Sequence, residues 1–210
     1  VDLLVVETMM SLQESRAALI AAKEVYDLPV MVTMTFEADG RALYGTDVLT
    51  AAITLESLGA DAFGVNCSTG PVQMIPMFEK IQSAVKIPLI AKPNAGMPTL
   101  DDNGNTVYGL GCEDFAKEVK MLWERGASVL GGCCGTTPEH IKAMISLMKD
   151  EIPKERTYEK KCHVTSERMT VSFDTTSPFM IIGERINPTG KKKLQEELRC
   201  GKMDMVLEFA

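Results

Sequence analysis

Three cysteines stand where thiolate chemistry is possible. Cys67 closes the run DAFGVNC, and Cys133 and Cys134 close the run ASVLGGCC. Two distant runs that each end in sulfur converge on one centre when they are strands of one parallel sheet, because the C-terminal strand ends form the active face. Three thiolates make a site with one coordination position open. That is the arrangement of catalytic zinc, whereas a structural site is normally closed by a fourth protein ligand. A free thiol has a pKa near ~8.5 and is mostly protonated at neutral pH. Metal coordination deprotonates a thiol outright, so a thiol substrate in the open position would sit there as a nucleophilic thiolate. Adjacent cysteines on an ideal strand point to opposite faces. Cys133 and Cys134 can serve one metal only if the backbone leaves strand geometry, and Gly131, Gly132 and Gly135 permit that departure. Spacing alone leaves other readings open. A strand-ending cysteine is usually a small buried hydrophobe, and a CC pair among glycines also fits a redox or vicinal disulfide or a plain tight turn.

The elements that must position these residues alternate in two kinds. Short β-branched or apolar runs lie at Leu3–Glu7, Pro29–Phe36, Ala60–Cys67, Pro88–Pro93 and Ser128–Cys133, each of a length for a buried parallel strand. Between them, segments with helical spacing run Ser11–Tyr26, Thr46–Leu58, Pro71–Val85, Cys112–Arg125 and Pro138–Lys149. In the second of these, Val48, Ala51, Ala52, Leu55 and Leu58 share one helix face. Gly59 and Gly126 fall just past two helices, where a left-handed residue is often needed. Thr137-Pro138-Glu139 reads as an N-cap, a first-position proline and a first-turn acid. Five strand–helix units in series predict a parallel sheet with helices outside it. An open doubly wound sheet and a (β/α)8 barrel both fit. A barrel needs eight units, so this chain would hold about its last five.

The pattern changes after about Asp150. Residues 151–178 include the polar, aperiodic stretch Pro153–Ser177 and read as an interdomain linker that packs on its neighbour. A strand-like run at Phe179–Gly183, a loop at Glu184–Gly190, a helical segment at Lys191–Arg199 and a final strand-like run at Met205–Phe209 read as the start of a second β/α domain, 179–210.

Composition excludes several classes. The 210 residues are 45% apolar and 24% charged, as in soluble globular proteins. A net charge of −7 argues against nonspecific nucleic-acid binding, which leans on basic surface. No apolar run approaches the roughly 20 residues that span a bilayer, and no signal peptide is visible. A cytoplasmic protein is the simplest expectation. The six cysteines do not form a disulfide framework. Cys112, Cys162 and Cys200 read as ordinary free thiols.

Family motifs narrow the choice. GVNCSTGP (Gly64–Pro71) and GGCCGTTPEHI (Gly131–Ile141) resemble the two zinc-ligand motifs of the homocysteine S-methyltransferase family. KPNAG (Lys92–Gly96) is similar to the strand end that lies between them in that family. VDLLVVET (Val1–Thr8) resembles the family strand whose glutamate helps hold the homocysteine amino group, which maps to Glu7. The motifs follow the family's order over residues 1–150. The resemblance implies a (β/α)8 barrel truncated to its last five units, zinc on Cys67, Cys133 and Cys134, and homocysteine as methyl acceptor. No catalytic residue beyond the zinc site is implied. IIGERINPTG (Ile181–Gly190) resembles the first strand and loop of the pterin-binding domain that follows the homocysteine barrel in the cobalamin-dependent methionine synthases. It makes Asn187 a pterin contact by analogy. Methylcobalamin on another domain would then be the immediate donor and methyltetrahydrofolate its source. The alternatives are a single-barrel enzyme using betaine or S-methylmethionine, or an inactive zinc-binding fragment; the tail argues against the first.

Other residues take plainer readings. Glu7 also fits a structural ion-pair partner. His140 reads as a surface or capping residue, and His163 carries no argument. The methionines are mostly core filler, and Lys191–Lys193 reads as a solvated helix start, with phosphate binding a weaker alternative. The long Asn94–Gly111 segment is a loop on the active face, of a length that is often functional, without an assigned contact.

Overall fold

The computed structural model of the chain describes residues 1–181 and 183–209. The chain divides into two compact units, Val1–Asp174 and Thr175–Ala210.

The first unit alternates strand and helix: β1 (Leu4–Met9), α1 (Leu12–Val25), β2 (Val30–Met34), α2 (Val48–Ser57), β3 (Ala62–Asn66), α3 (Pro71–Ile81) and β4 (Leu89–Lys92). A hairpin of β5 (Pro98–Leu100) and β6 (Thr106–Tyr108) interrupts the alternation before α4 (Cys112–Glu124), β7 (Ala127–Leu130) and α5 (Pro138–Met148). A second hairpin, β8 (Cys162–Thr165) and β9 (Thr170–Phe173), closes the unit. Strands β1, β2, β3, β4 and β7 form one sheet in that order, and every neighbouring pair is parallel. The α/β class and the parallel sheet read from the sequence are present. The sheet is open, with β1 and β7 at its edges. All five strands run the same way, so their C-terminal ends share one face.

Burial explains why these segments take these forms. Every residue of β3 is buried, as a central parallel strand requires. The inward faces of α1, α2 and α3 supply Leu12, Leu19, Leu55, Met74, Phe78 and Ile81 to a core shared with Val32, Met34 and Phe63 of the sheet. Phe115, Ala116 and Val119 of α4 meet Met144 of α5 in a smaller cluster. The Asp47 side chain caps α2 by accepting from Leu49 N at 3.0 Å. Gly59 and Gly126 take the left-handed conformation past α2 and α4.

Three expectations need correction or addition. Strand β7 ends at Leu130, so the cysteine pair lies beyond the sheet ladder. The stretch read as aperiodic linker contains the β8–β9 hairpin, which touches α2 through Thr54–Thr165 and Thr170–Thr50 hydroxyl pairs at 3.1 and 2.9 Å. The second unit contains α6 (Lys192–Arg199) and α7 (Asp204–Phe209) and no strand among the described residues. Of the expected strand Phe179–Gly183, Ile182 lies outside the described residues and the rest pairs with nothing in a ladder. The expected strand Met205–Phe209 is helical. A short apolar run does not distinguish the two forms. Without a neighbouring strand, a helix satisfies its own backbone groups, and Glu197 adds a bond from its side chain to Met205 N at 2.9 Å. Among the described residues no helix is long and apolar enough to cross a membrane.

Candidate metal centre

Cys67 follows β3 directly, where the chain must turn off the sheet. Its φ of 63° and that of Ser68, 58°, are left-handed. Non-glycine residues rarely adopt that conformation, and such strain collects at functional sites. The turn is held by Cys67 N donating to Lys92 O at 3.1 Å and Thr69 N donating to Cys67 O at 2.7 Å. The cysteine pair follows β7 after two glycines. Cys133 N donates to Pro93 O at 2.8 Å, and Cys134 N donates to the Asn94 side-chain oxygen at 3.1 Å. The departure from strand geometry demanded by the adjacent cysteines is therefore made by hydrogen bonds to the end of β4. Thr136 completes the turn by donating its hydroxyl to Cys133 O at 2.7 Å. Gly135 has a φ of 77°, and a Cβ there would stand 2.4 Å from the Tyr108 Cβ and Cγ, so only glycine fits.

These turns bring the three sulfurs together, all within 4.8 Å of one another. Cys67 Sγ lies 3.6 Å from Cys134 Sγ, and Cys133 Sγ lies 4.0 Å from Cys134 Sγ. A disulfide needs about 2.05 Å, and all six cysteines are free. Three thiolates on a tetrahedral zinc with bonds near 2.3 Å would stand about 3.8 Å apart. The donor set and its spacing therefore fit zinc. Cys67 and Cys133 are half-buried and Cys134 is exposed, so the cluster has an open side.

The electrostatics are uneven. Burial, the largest influence, pushes the Cys67 thiol up to about 11. Burial also pushes Cys134 upward, but hydrogen bonds from Cys67, Tyr108 and Cys133 outweigh it and hold this thiol below its ordinary value. The hydrogen bond to Cys134 raises the Tyr108 phenol in turn.

Residues that the motifs did not single out surround the sulfurs. Asn66, fully buried, donates its side-chain amide to Thr8 Oγ1 at 2.7 Å and to Cys133 Sγ at 3.8 Å. Its Oδ1 has no hydrogen-bond partner among the described residues. Thr8 itself has a φ of 58°, beside an irregularity in the β1–β2 register. A polar residue ending an otherwise apolar strand is the one signal that could have pointed to Asn66. Glu7 forms an ion pair with Lys92, at the end of β4. His140 is buried, not on the surface. Its Nδ1 accepts from Thr137 N at 3.2 Å, and its Nε2 pairs with Leu110 O at 3.0 Å, so it caps α5 and is not among the clustered ligands. Cys112 opens α4, while Cys162 and Cys200 are exposed. Asn187 lies in the second unit, where it donates to Glu184 at 2.7 Å and accepts from Thr189 N at 2.8 Å.

Comparison with known proteins follows the same residues. The chain is 31% identical over 215 residues to a methionine synthase of Mycobacterium tuberculosis, and 33% identical over 226 residues to one of Mycobacterium leprae. Each alignment covers 100% of this chain but 18% of the relative, so the chain spans about a fifth of those proteins. The apo crystal structure of the homocysteine methyltransferase MmuM from Escherichia coli superposes with a TM-score of 0.55 and 21% identity, covering 69% of this chain and 49% of that one. At that identity the likeness speaks for the fold alone. The homocysteine S-methyltransferase profile matches residues 1–148, which include β1, both cysteine turns and α5, and the chain belongs to that family.

Proposed function

We propose that this chain carries the thiol-activating site of a zinc-dependent methyl transfer to homocysteine, giving methionine, within a larger methionine synthase. The observation that carries the reading is the convergence of Cys67, Cys133 and Cys134 at separations that suit one tetrahedral ion. These three residues would hold zinc, which when bound keeps a substrate thiol ionised and nucleophilic at neutral pH. The protein's own contribution is positional. Asn66 orients Cys133, and the Asn94 side chain fixes the backbone of Cys134. Glu7, which pairs with Lys92 at the end of β4, would supply a carboxylate for the substrate's ammonium group. The exposed side of Cys134 gives the substrate sulfur and the methyl donor their approach.

The finer assignments rest on motif likeness and on the methionine synthase relatives. Residues 1–150 are read as part of a (β/α)8 homocysteine barrel, 151–178 as its linker and 179–210 as the start of a pterin-binding domain with Asn187 as a contact. Methylcobalamin on a separate domain is the proposed donor, recharged from methyltetrahydrofolate. The polypeptide beyond residue 148, folded as a distinct unit from Thr175, favours this over a single-barrel enzyme using betaine or S-methylmethionine.

X-ray absorption at the zinc edge, with and without homocysteine, tests the proposal. The reading requires three sulfur ligands in the free chain and a fourth when homocysteine is added. A sulfur count unchanged by homocysteine would refute it.

A further inference from the structure

The segment between β4 and α4 is long for such a connection, and the proposed function gives it no task. It is nonetheless pinned to the sulfur turn. Ala95 N donates to Cys134 O at 2.9 Å, and Leu110 N donates to Ala95 O at 3.0 Å. From the other side, His140 holds Leu110 O at 3.0 Å. Because its Nδ1 accepts a backbone N–H, the imidazole proton belongs on Nε2, which donates to that carbonyl. The hairpin β5–β6 rises between these ties, with Pro98 opposite Tyr108. Tyr108 thus sits at the pinned base of the hairpin. Its Cβ and Cγ both lie 2.4 Å from where a Gly135 side chain would begin, one residue past Cys134.

We propose that Tyr108 is a positioning residue for the sulfur cluster: the hairpin seats its ring on Gly135, and its hydroxyl donates to Cys134 Sγ. Cys134 is the most exposed of the three cysteines. A fixed O–H donor orients the thiolate and withdraws some of its charge. Partners that hydrogen-bond to metal ligands commonly change metal affinity about 10–100-fold when removed. The hairpin is then the support of an outer-shell donor, which accounts for the length of the segment and for glycine at 135.

This inference rests on the thiolate-metal reading, so the test must separate the two. Cobalt(II) titration of the whole chain reads the sulfur-to-cobalt charge-transfer band directly, without any turnover. The wild type should show the band, and Cys134→Ser should weaken it. Tyr108→Phe keeps the ring and removes only the hydroxyl. It should move the band to lower energy, as the unbonded thiolate donates more charge, and weaken cobalt binding about tenfold. Tyr108→Leu should show the same shift, together with faster amide exchange in the hairpin. A wild-type band that is unmoved in Tyr108→Phe, with only Tyr108→Leu affected, would mean that the ring merely packs and would overturn this inference alone. No band in the wild type would overturn the metal reading and this inference with it.

Discussion

Cys133 receives a hydrogen bond from a buried side chain. Asn66 is fully buried, its amide is shared between Thr8 and Cys133, and its oxygen has no partner among the described residues. An unpaired buried polar atom costs about 1–3 kcal/mol, so folding alone does not explain why an asparagine stands here. Orientation of the sulfur does. Asn66→Ala should therefore lower zinc affinity about tenfold or more while removing one unsatisfied group from the interior. Competition against a chromophoric chelator measures the affinity, and an unchanged value would leave Asn66 as a structural residue. The three cysteines were legible because their type and their place at strand ends already limit the chemistry. Asn66 was inside the quoted motif, yet its role depends on Thr8, 58 residues away in sequence. Tyr108 was less visible still, since its partner at Gly135 is a glycine with no side chain to suggest a contact.

At the next scale, the regular strand–helix alternation reads directly from apolar runs and helical spacing, because burial sets both. The boundary that matters most to the site moved where a turn intervened, at Leu130. The hairpins were hidden for the opposite reason. Strands β5 and β9 are mostly exposed and carry little periodic signal. The apolar run at the C-terminus misled because a run so short does not declare its form. One contact tests how the elements are joined. Asp61, at the start of β3, accepts from Val30 N of β2 at 2.7 Å and from Lys23 of α1 at 2.6 Å. Burial pushes its carboxyl upward, but these bonds prevail and hold it below the usual 3.8. A depressed carboxylate stabilises the fold above its unfolded pKa, and that contribution is lost as pH falls through its folded value. Wild type should then exceed Asp61→Asn in denaturant midpoint at neutral pH, and the gap should close below pH ~4. A gap that persists in acid would contradict the assignment to ionisation.

Over the first unit as a whole, the segment after α5 behaves as a strap. Arg156 donates its guanidinium to the carbonyls of Gln82 and Val85 at 3.1 and 3.2 Å, and to those of Lys86 and Ile87. Glu159 N adds a bond to Ser83 O at 2.9 Å. The turn before β4 is therefore tied from outside, at the end of the sheet opposite the sulfurs. Arg156→Ala should cost about 2 kcal/mol in chemical denaturation, the range for hydrogen bonds from a charged donor, and leave metal uptake intact; loss of metal uptake would contradict this separation. The central claim is that three sulfurs from two strand ends form one metal centre. Zinc content per folded chain, in the wild type and in Cys67→Ser, Cys133→Ser and Cys134→Ser, tests it most directly. The account predicts about one zinc per wild-type chain, as one site of this type binds a single ion, and substantial loss in each variant. A folded wild type without zinc, or variants that keep it in full, would contradict the claim.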